Sequence, residues 1–184
     1  RERHNVLIAG APGTGKTRLV NGVREAFLLT PPLPFDKNGP VPFPKEKAAT
    51  PDDIAEWLPS PDRRDRKVFS TVFHQGTKHR DFVCGLAPVP GGQTLTFRVQ
   101  RGALYQAAEH ALSTDGTSLL IIEEINRGPA VAAFGGSIVA FESDKRLSLE
   151  GTPLPTTTFF EVLDDSGLSI PYALPTHQIG RAHV

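Results

Sequence analysis

An α/β fold with a parallel sheet is expected of this 184-residue chain. Two observations lead there. Short, continuously apolar runs alternate with segments of helical spacing, and the runs have no wet face, as in strands covered on both sides. The first run also passes into its helix through a glycine-rich turn. The length suits a single domain with a real core. Lys plus Arg number 20 and Asp plus Glu number 20, so bulk charge gives no reason to expect nucleic acid or an anionic membrane. The apolar runs are only a few residues long, too short to span a bilayer, and no leader-like stretch precedes the first strand. One cysteine, Cys84, excludes an intrachain disulfide framework and fits a reducing cytoplasm.

The elements follow in order. Asn5–Ala9 reads as a buried strand with a β-branched centre. Thr17–Leu29 carries Leu19, Val20, Val23, Ala26 and Phe27 on one helical face. Nine of the 17 prolines fall between Pro31 and Pro61, which rules out a regular central element there. This stretch, counted as an insertion over 30–67, is either ordered in part or a linker. Within it Thr50, Pro51, Asp52 and Asp53 form a helix-start pattern, predicting a short helix through Trp57. Asp62–Lys67 reads as a solvated charged loop. Val68–Phe73 is a strand, and Thr94–Val99 belongs to a hairpin beginning near Gly91 and Gly92. Ala103–Leu112 is a helix, Ser118–Ile122 a fully apolar strand, and Ala130–Phe141 a helix despite Gly135 and Gly136. Cys84 is read as a small packed side chain in a helix. His74 and His79 are read as structural or solvated, since no metal-ligand spacing surrounds them.

The chemistry-bearing residues lie at two of these junctions. Gly10, Ala11, Pro12, Gly13, Thr14, Gly15, Lys16 and Thr17 match G-x-x-x-x-G-K-[ST] between a strand and a helix. Glycines let successive backbone N–H groups curl around a phosphate, and the helix start adds its positive dipole end. Lys16 is placed to reach the β- and γ-phosphates, and the Thr17 hydroxyl to ligate Mg²⁺. The second junction is Leu119–Ile122 followed by Glu123 and Glu124. Ligands of open parallel sheets lie beyond the carboxyl ends of strands. Glu123 is therefore expected to hold Mg²⁺ through its water shell, and Glu124 to orient or deprotonate an attacking water.

Taken together, Gly10–Thr17 and Leu119–Gly128, with its E-I-N-R stretch, resemble the AAA+ family, in particular its McrB-like branch tied to modification-dependent (5-methylcytosine-specific) restriction. Three further stretches are similar to that branch: Val72-Phe73-His74-Gln75 running to Asp81–Pro88, then Phe134-Gly135, then Asp144-Lys145-Arg146-Leu147. Departures are Glu123 where Asp is commoner, Gly136 where an acid usually follows F-G, and Thr77 and His79 at positions often aromatic. The resemblance implies a three-layer αβα P-loop NTPase core with sheet order 5-1-4-3-2. It implies ATP, or GTP, as substrate with Mg²⁺, and Asn126 and Arg127 facing the nucleotide or a neighbouring subunit. Glu124, Lys16, Arg127 and Asn126 are its catalytic candidates. A ring, a hexamer by resemblance, an McrC-like nuclease partner and indirect action on DNA in the cytoplasm follow as expectations, with no membrane. The competing functions are a small P-loop kinase and a non-catalytic nucleotide-gated binding module.

The same frame predicts a core that is incomplete within this chain, a partial AAA+ domain over 1–178. The fourth strand, between the first and third, the fifth strand and the helical lid are expected to be missing, leaving a gap and a chain inactive by itself. Met is absent even at position 1, which agrees with an incomplete gene product. Ile179–Val184 reads as one frame of a sequencing adapter and is expected to be a non-native tail.

Overall fold

The computed structural model describes residues 5–28, 65–89, 95–148, 150–176 and 178–183. The proline-rich insertion with its helix near Trp57, and the turn at Gly91 and Gly92, lie outside them. The chain begins β1 (Asn5–Ile8), α1 (Lys16–Leu28) and β2 (Asp65–Val72). It continues through α2 (His79–Phe82), β3 (Cys84–Val89), β4 (Thr96–Arg101), α3 (Ala103–Leu112) and β5 (Gly116–Glu123). Short helices α4 (Ala130–Phe134) and α5 (Ser137–Ala140) precede β6 (Phe160–Leu163), β7 (Ser169–Tyr172) and β8 (Gln178–His183).

Four strands form one parallel sheet in the order β1-β8-β5-β2. β5 is buried at every residue before Glu123, which is why it reads as a continuous apolar run. Its side chains alternate between two cores. Leu119 and Ile121 pack with Val20 and Phe27 of α1, while Leu120 and Ile122 join Leu104, Ala107 and Ala108 of α3 together with Phe73, Phe82 and Phe134. Helices thus cover both faces of β5, giving the αβα layering expected of a P-loop core, whereas β1, expected to be a buried strand, leaves Leu7 exposed. Two antiparallel hairpins, β3–β4 and β6–β7, stand outside the sheet. They are tied together where the Leu163 N–H donates to Cys84 Sγ at 3.2 Å. Among the described residues no helix is long and apolar enough to cross a membrane.

Four expectations need correction. The position between β1 and β5, expected to be empty, is filled by β8: Asn5–Ile8 pair with Gly180–His183, and Ser118–Ile122 pair with Gln178–Ala182. Backbone hydrogen bonding is what such a slot demands, and any non-proline segment supplies it. Second, Asp65, Arg66 and Lys67 are strand rather than loop, because β2 pairs with β5 from Asp65↔Gly116 onward. The Arg66 guanidinium donates to the Phe27 carbonyl at 3.1 Å, capping the end of α1. Third, the helix expected over 130–141 breaks at Gly135, whose φ of +53° takes the backbone out of helical space. Fourth, Cys84 opens a strand rather than lying in a helix. It is buried, as a packed side chain should be, and burial raises its thiol pKa.

Arg146, in the D-K-R stretch, is buried to 1% exposure. It donates to Asn5 Oδ1 at 2.9 Å and to the Phe141 carbonyl at 3.0 Å, fastening the start of β1 to the end of α5. Burial lowers its guanidinium to about 10. The Tyr172 hydroxyl donates to Glu109 Oε1 at 2.9 Å, pinning β7 to α3. Burial first, and then the Glu109 charge, hold that phenol above its ordinary value of 10. The folded chain therefore keeps a proton that the unfolded chain releases above pH 10, and stability falls as pH rises past that point. The slope for one such group reaches about 1.4 kcal/mol per pH unit. Tyr172→Phe is expected to flatten the alkaline fall of Tm between about pH 9.5 and 11, read by circular dichroism melts.

Candidate functional site

Three parallel strands bring the two sequence junctions to one end of the sheet. β1 and β5 both run toward it with only β8 between them, with Ile8 beside His183 and Ile122 beside Ala182. At about 4.8 Å per strand, the chain leaving β1 and the acids ending β5 are separated by roughly 10 Å in the pairing direction. That spacing is on the scale of a polyphosphate lying across the strand ends.

The loop leaving β1 is tightly wound. Gly13 and Gly15 take φ values of +82° and +84°, so the backbone alternates hand as an anion-binding nest requires. The Thr14 hydroxyl donates to the Ala11 carbonyl at 2.8 Å, closing the turn. Lys16 starts α1 and folds its ammonium back, donating to the carbonyls of Gly10 and, at 3.0 Å, Ala11. Thr17 follows in the first turn of α1 and is exposed. The Gly10–Gly15 segment is exposed, while Lys16 is half-buried.

At the acidic end, the Phe73 N–H donates to the Glu123 carbonyl at 2.9 Å, extending the β2–β5 ladder to its last residue. Glu124 then leaves the sheet at φ 54°, ψ 40°, the non-glycine residue with positive φ among those described. Such a conformation costs on the order of 1–3 kcal/mol and is typically kept where surrounding structure imposes it. Here a 3₁₀ turn, Ile125–Arg127, imposes it. The Arg127 N–H donates to the Glu124 carbonyl at 2.8 Å, and Ile125 packs on the core. Arg127 Nε lies 3.0 Å from Glu124 Oε2. Asn126 is exposed beside it.

Gly128 presses this turn onto the end of β2. A Cβ there would lie 3.0 Å from the His74 carbonyl oxygen and 3.1 Å from Phe73 Cβ, so a larger residue fits only if the backbone at the end of β2 gives by a few tenths of an ångström. Gly136 is a contrasting case: its backbone is right-handed helical and a Cβ would meet nothing nearer than 3.6 Å. Gly128→Ala is expected to lower stability by about 1–3 kcal/mol. Gly136→Ala is expected to leave it unchanged or raise it by about 0.4–1 kcal/mol. Paired thermal melts check both. Sequence reading missed the positioning role of Gly128, and its place directly after E-I-N-R was the available signal.

The two histidines differ in place. His79 Nδ1 donates to the Ala133 carbonyl at 3.1 Å, joining α2 to α4, whereas His74 Nδ1 accepts from the Gly76 N–H at 3.1 Å and is exposed. Among the described residues no group of three or more His, Cys, Asp or Glu could hold a metal ion. Thr17, exposed in the first turn of α1, and Glu123, half-buried at the end of β5, are the oxygen donors named above for a divalent cation. That all-oxygen set fits Mg²⁺.

No family model matches the chain. It is 28% identical over 153 residues to the Type IV methyl-directed restriction enzyme EcoKMcrB subunit of Escherichia coli (strain K12), a match covering 83% of this chain and 26% of that protein. The chain thus spans about a quarter of the length of that curated relative. A crystal structure of a candidate ATPase from Cytophaga hutchinsonii is similar with a TM-score of 0.40 and 13% identity, over 97% of this chain and 33% of that one.

Proposed function

We propose that this chain, similar to the McrB subunit of Escherichia coli, is the nucleotide-binding core of an McrB-like AAA+ protein, an ATP-hydrolysing motor subunit in a modification-dependent DNA restriction system. The observation that carries the reading is the placement, at one end of one parallel sheet, of the Gly10–Thr17 loop and the acidic end of β5, two strand spacings apart. The loop amides and Lys16 bind the phosphates, with Lys16 exchanging its two carbonyl partners for β- and γ-phosphate oxygens. Thr17 and Glu123 hold Mg²⁺, which when bound neutralises phosphate charge. Glu124 orients the attacking water and takes its proton. Asn126 and Arg127 face the phosphates or a neighbouring subunit.

ATP is the proposed nucleotide, with GTP compared in the same assays. The motor works as a cytoplasmic ring, a hexamer, with hydrolysis in the assembled ring rather than in this chain alone. An McrC-like nuclease is its partner, and DNA is engaged through other parts of the protein.

The test is Glu124→Gln in the ring-forming protein. Nucleotide affinity is expected to stay within about threefold, while turnover falls by about 10²–10⁴-fold, the usual contribution of a positioned general base. Unchanged turnover would remove Glu124 from the chemistry.

A further inference from the structure

We propose that the Arg18 side chain binds the nucleotide at its α-phosphate, the end of the polyphosphate away from β5. The inference rests on the nucleotide reading above and adds to it a residue that the phosphate-loop pattern does not contain. α1 opens Lys16, Thr17, Arg18, with no acid in its first turn. Both cations stand where the positive end of the helix dipole repels them, in the turn where acids are favoured. Lys16 is drawn back into the loop, donating to the Gly10 and Ala11 carbonyls. Arg18 is exposed, and among the described residues no side-chain hydrogen bond or ion pair includes it. The residues three and four positions to either side are Thr14, Gly15, Asn21 and Gly22, and the one acid of α1, Glu25, lies two turns on, so the helix itself offers no partner. A cation so placed opposes the fold by about 1.7- to 5-fold, and a polyanion on the loop reverses the sign of that interaction.

The helix face selects the phosphate. Val20 and Phe27 bury against Leu119 and Ile121 of the sheet, and Lys16 lies on the same side, one turn before Val20. Arg18, two residues before Val20, is turned roughly 200° from that stripe, toward the outer side of α1. The acids that mark the hydrolysed end of the nucleotide stand on β5, beneath the inner side. The outward guanidinium is therefore placed at the opposite, nucleoside end, where the α-phosphate lies. There its planar fork presents two parallel N–H donors to two phosphate oxygens, a contact that an ammonium makes only as a point charge. Lys16 and Arg18 thus divide the polyphosphate between the two sides of one helix turn.

The experiment is nucleotide titration of the 184-residue chain with Mg²⁺ present, wild type against Arg18→Ala and Arg18→Lys. The ligands are ADP, a non-hydrolysable ATP analogue, and each diastereomer of ADP with sulfur in place of one α-phosphate oxygen. Arg18→Ala is expected to weaken ADP and the triphosphate alike, by about 10-fold, the low end for a charge-assisted contact. Arg18→Lys is expected to keep part of that affinity. In one diastereomer, sulfur is expected to weaken binding to wild type more than to Arg18→Ala. Without nucleotide, Arg18→Ala is expected to melt at or above the wild-type temperature, because it removes a cation from the first turn of α1. Affinity within twofold of wild type, a loss confined to the triphosphate, no gain from lysine over alanine, equal sulfur effects on the two proteins, or a lower nucleotide-free melting temperature overturns the Arg18 contact alone. Failure of the wild-type chain to bind any of these nucleotides overturns the nucleotide reading, and the Arg18 contact with it.

Discussion

Lys16→Ala is expected to weaken nucleotide binding by about 100-fold while leaving the melting temperature nearly unchanged. The ammonium donates to the Gly10 and Ala11 carbonyls, both in exposed backbone, so its loss returns those oxygens to water at little cost. Nothing buried is orphaned. A bound triphosphate, in contrast, loses a charge-assisted donor to each of two phosphates. Each such bond is worth about 1.5–3 kcal/mol, and net of the two carbonyl bonds the ammonium gives up the loss is on the order of 2.7 kcal/mol, a factor of about 100. Fluorescent-nucleotide titration of wild type and variant, with a melt of each, separates the two effects. Tight binding by the Lys16→Ala chain would count against the phosphate-loop assignment.

Ending the chain at His177 is expected to abolish cooperative unfolding. β8 supplies the pairing partner for four residues of β1 and five of β5. Each lost backbone hydrogen bond costs about 0.5–1.5 kcal/mol net, and far more where the group stays buried. Leu119 to Ile122, at most 2% exposed in the intact sheet, would form an open edge. The sum rivals the 5–15 kcal/mol that holds a typical domain together. An open apolar edge is also a template for pairing between chains, so aggregation accompanies unfolding. Calorimetry and size-exclusion chromatography of the shortened chain are the measurements. A soluble monomer with a sharp transition would show that the sheet closes without this strand.

Much of the core was legible in the sequence because it obeys simple periodicity. Ala103–Leu112 is helical over the residues its apolar spacing marks, and β5 is the continuous apolar run bounded by Ser118 and Ile122, lengthened at both ends. The glycine turn between β1 and α1 was legible because glycines at that spacing after a strand mark positive-φ positions, as Gly13 and Gly15 are. What escaped was decided by tertiary pairing. Asp65, Arg66 and Lys67 look like solvated loop and become strand because β5 offers them a ladder. Gln178–His183 has no strand pattern, yet it fills the place between two parallel strands through its backbone. Arg146 gave no sign that it would be buried to tie β1 to α5, since its partners are a carbonyl and an asparagine 141 positions earlier in the chain. At the site, the types of Glu124 and Arg127 could be read. Their ion pair could not, because it depends on a left-handed residue that no spacing rule forces.

The order β1-β8-β5-β2 also sets a timetable for synthesis. The strand that must pair with β1 is made some 170 residues after it. At about 5–20 residues per second, that is a wait of roughly 10–35 s. β2 and β5 can dock on α3 in the meantime, with one edge of β5 open. Closing the sheet is then a late, long-range step in which β8 slides between two strands made before it, a non-local pairing of the kind that slows folding. Until β8 is in place, the open edges of β1 and β5 are templates for pairing between chains, and self-association is the competing outcome.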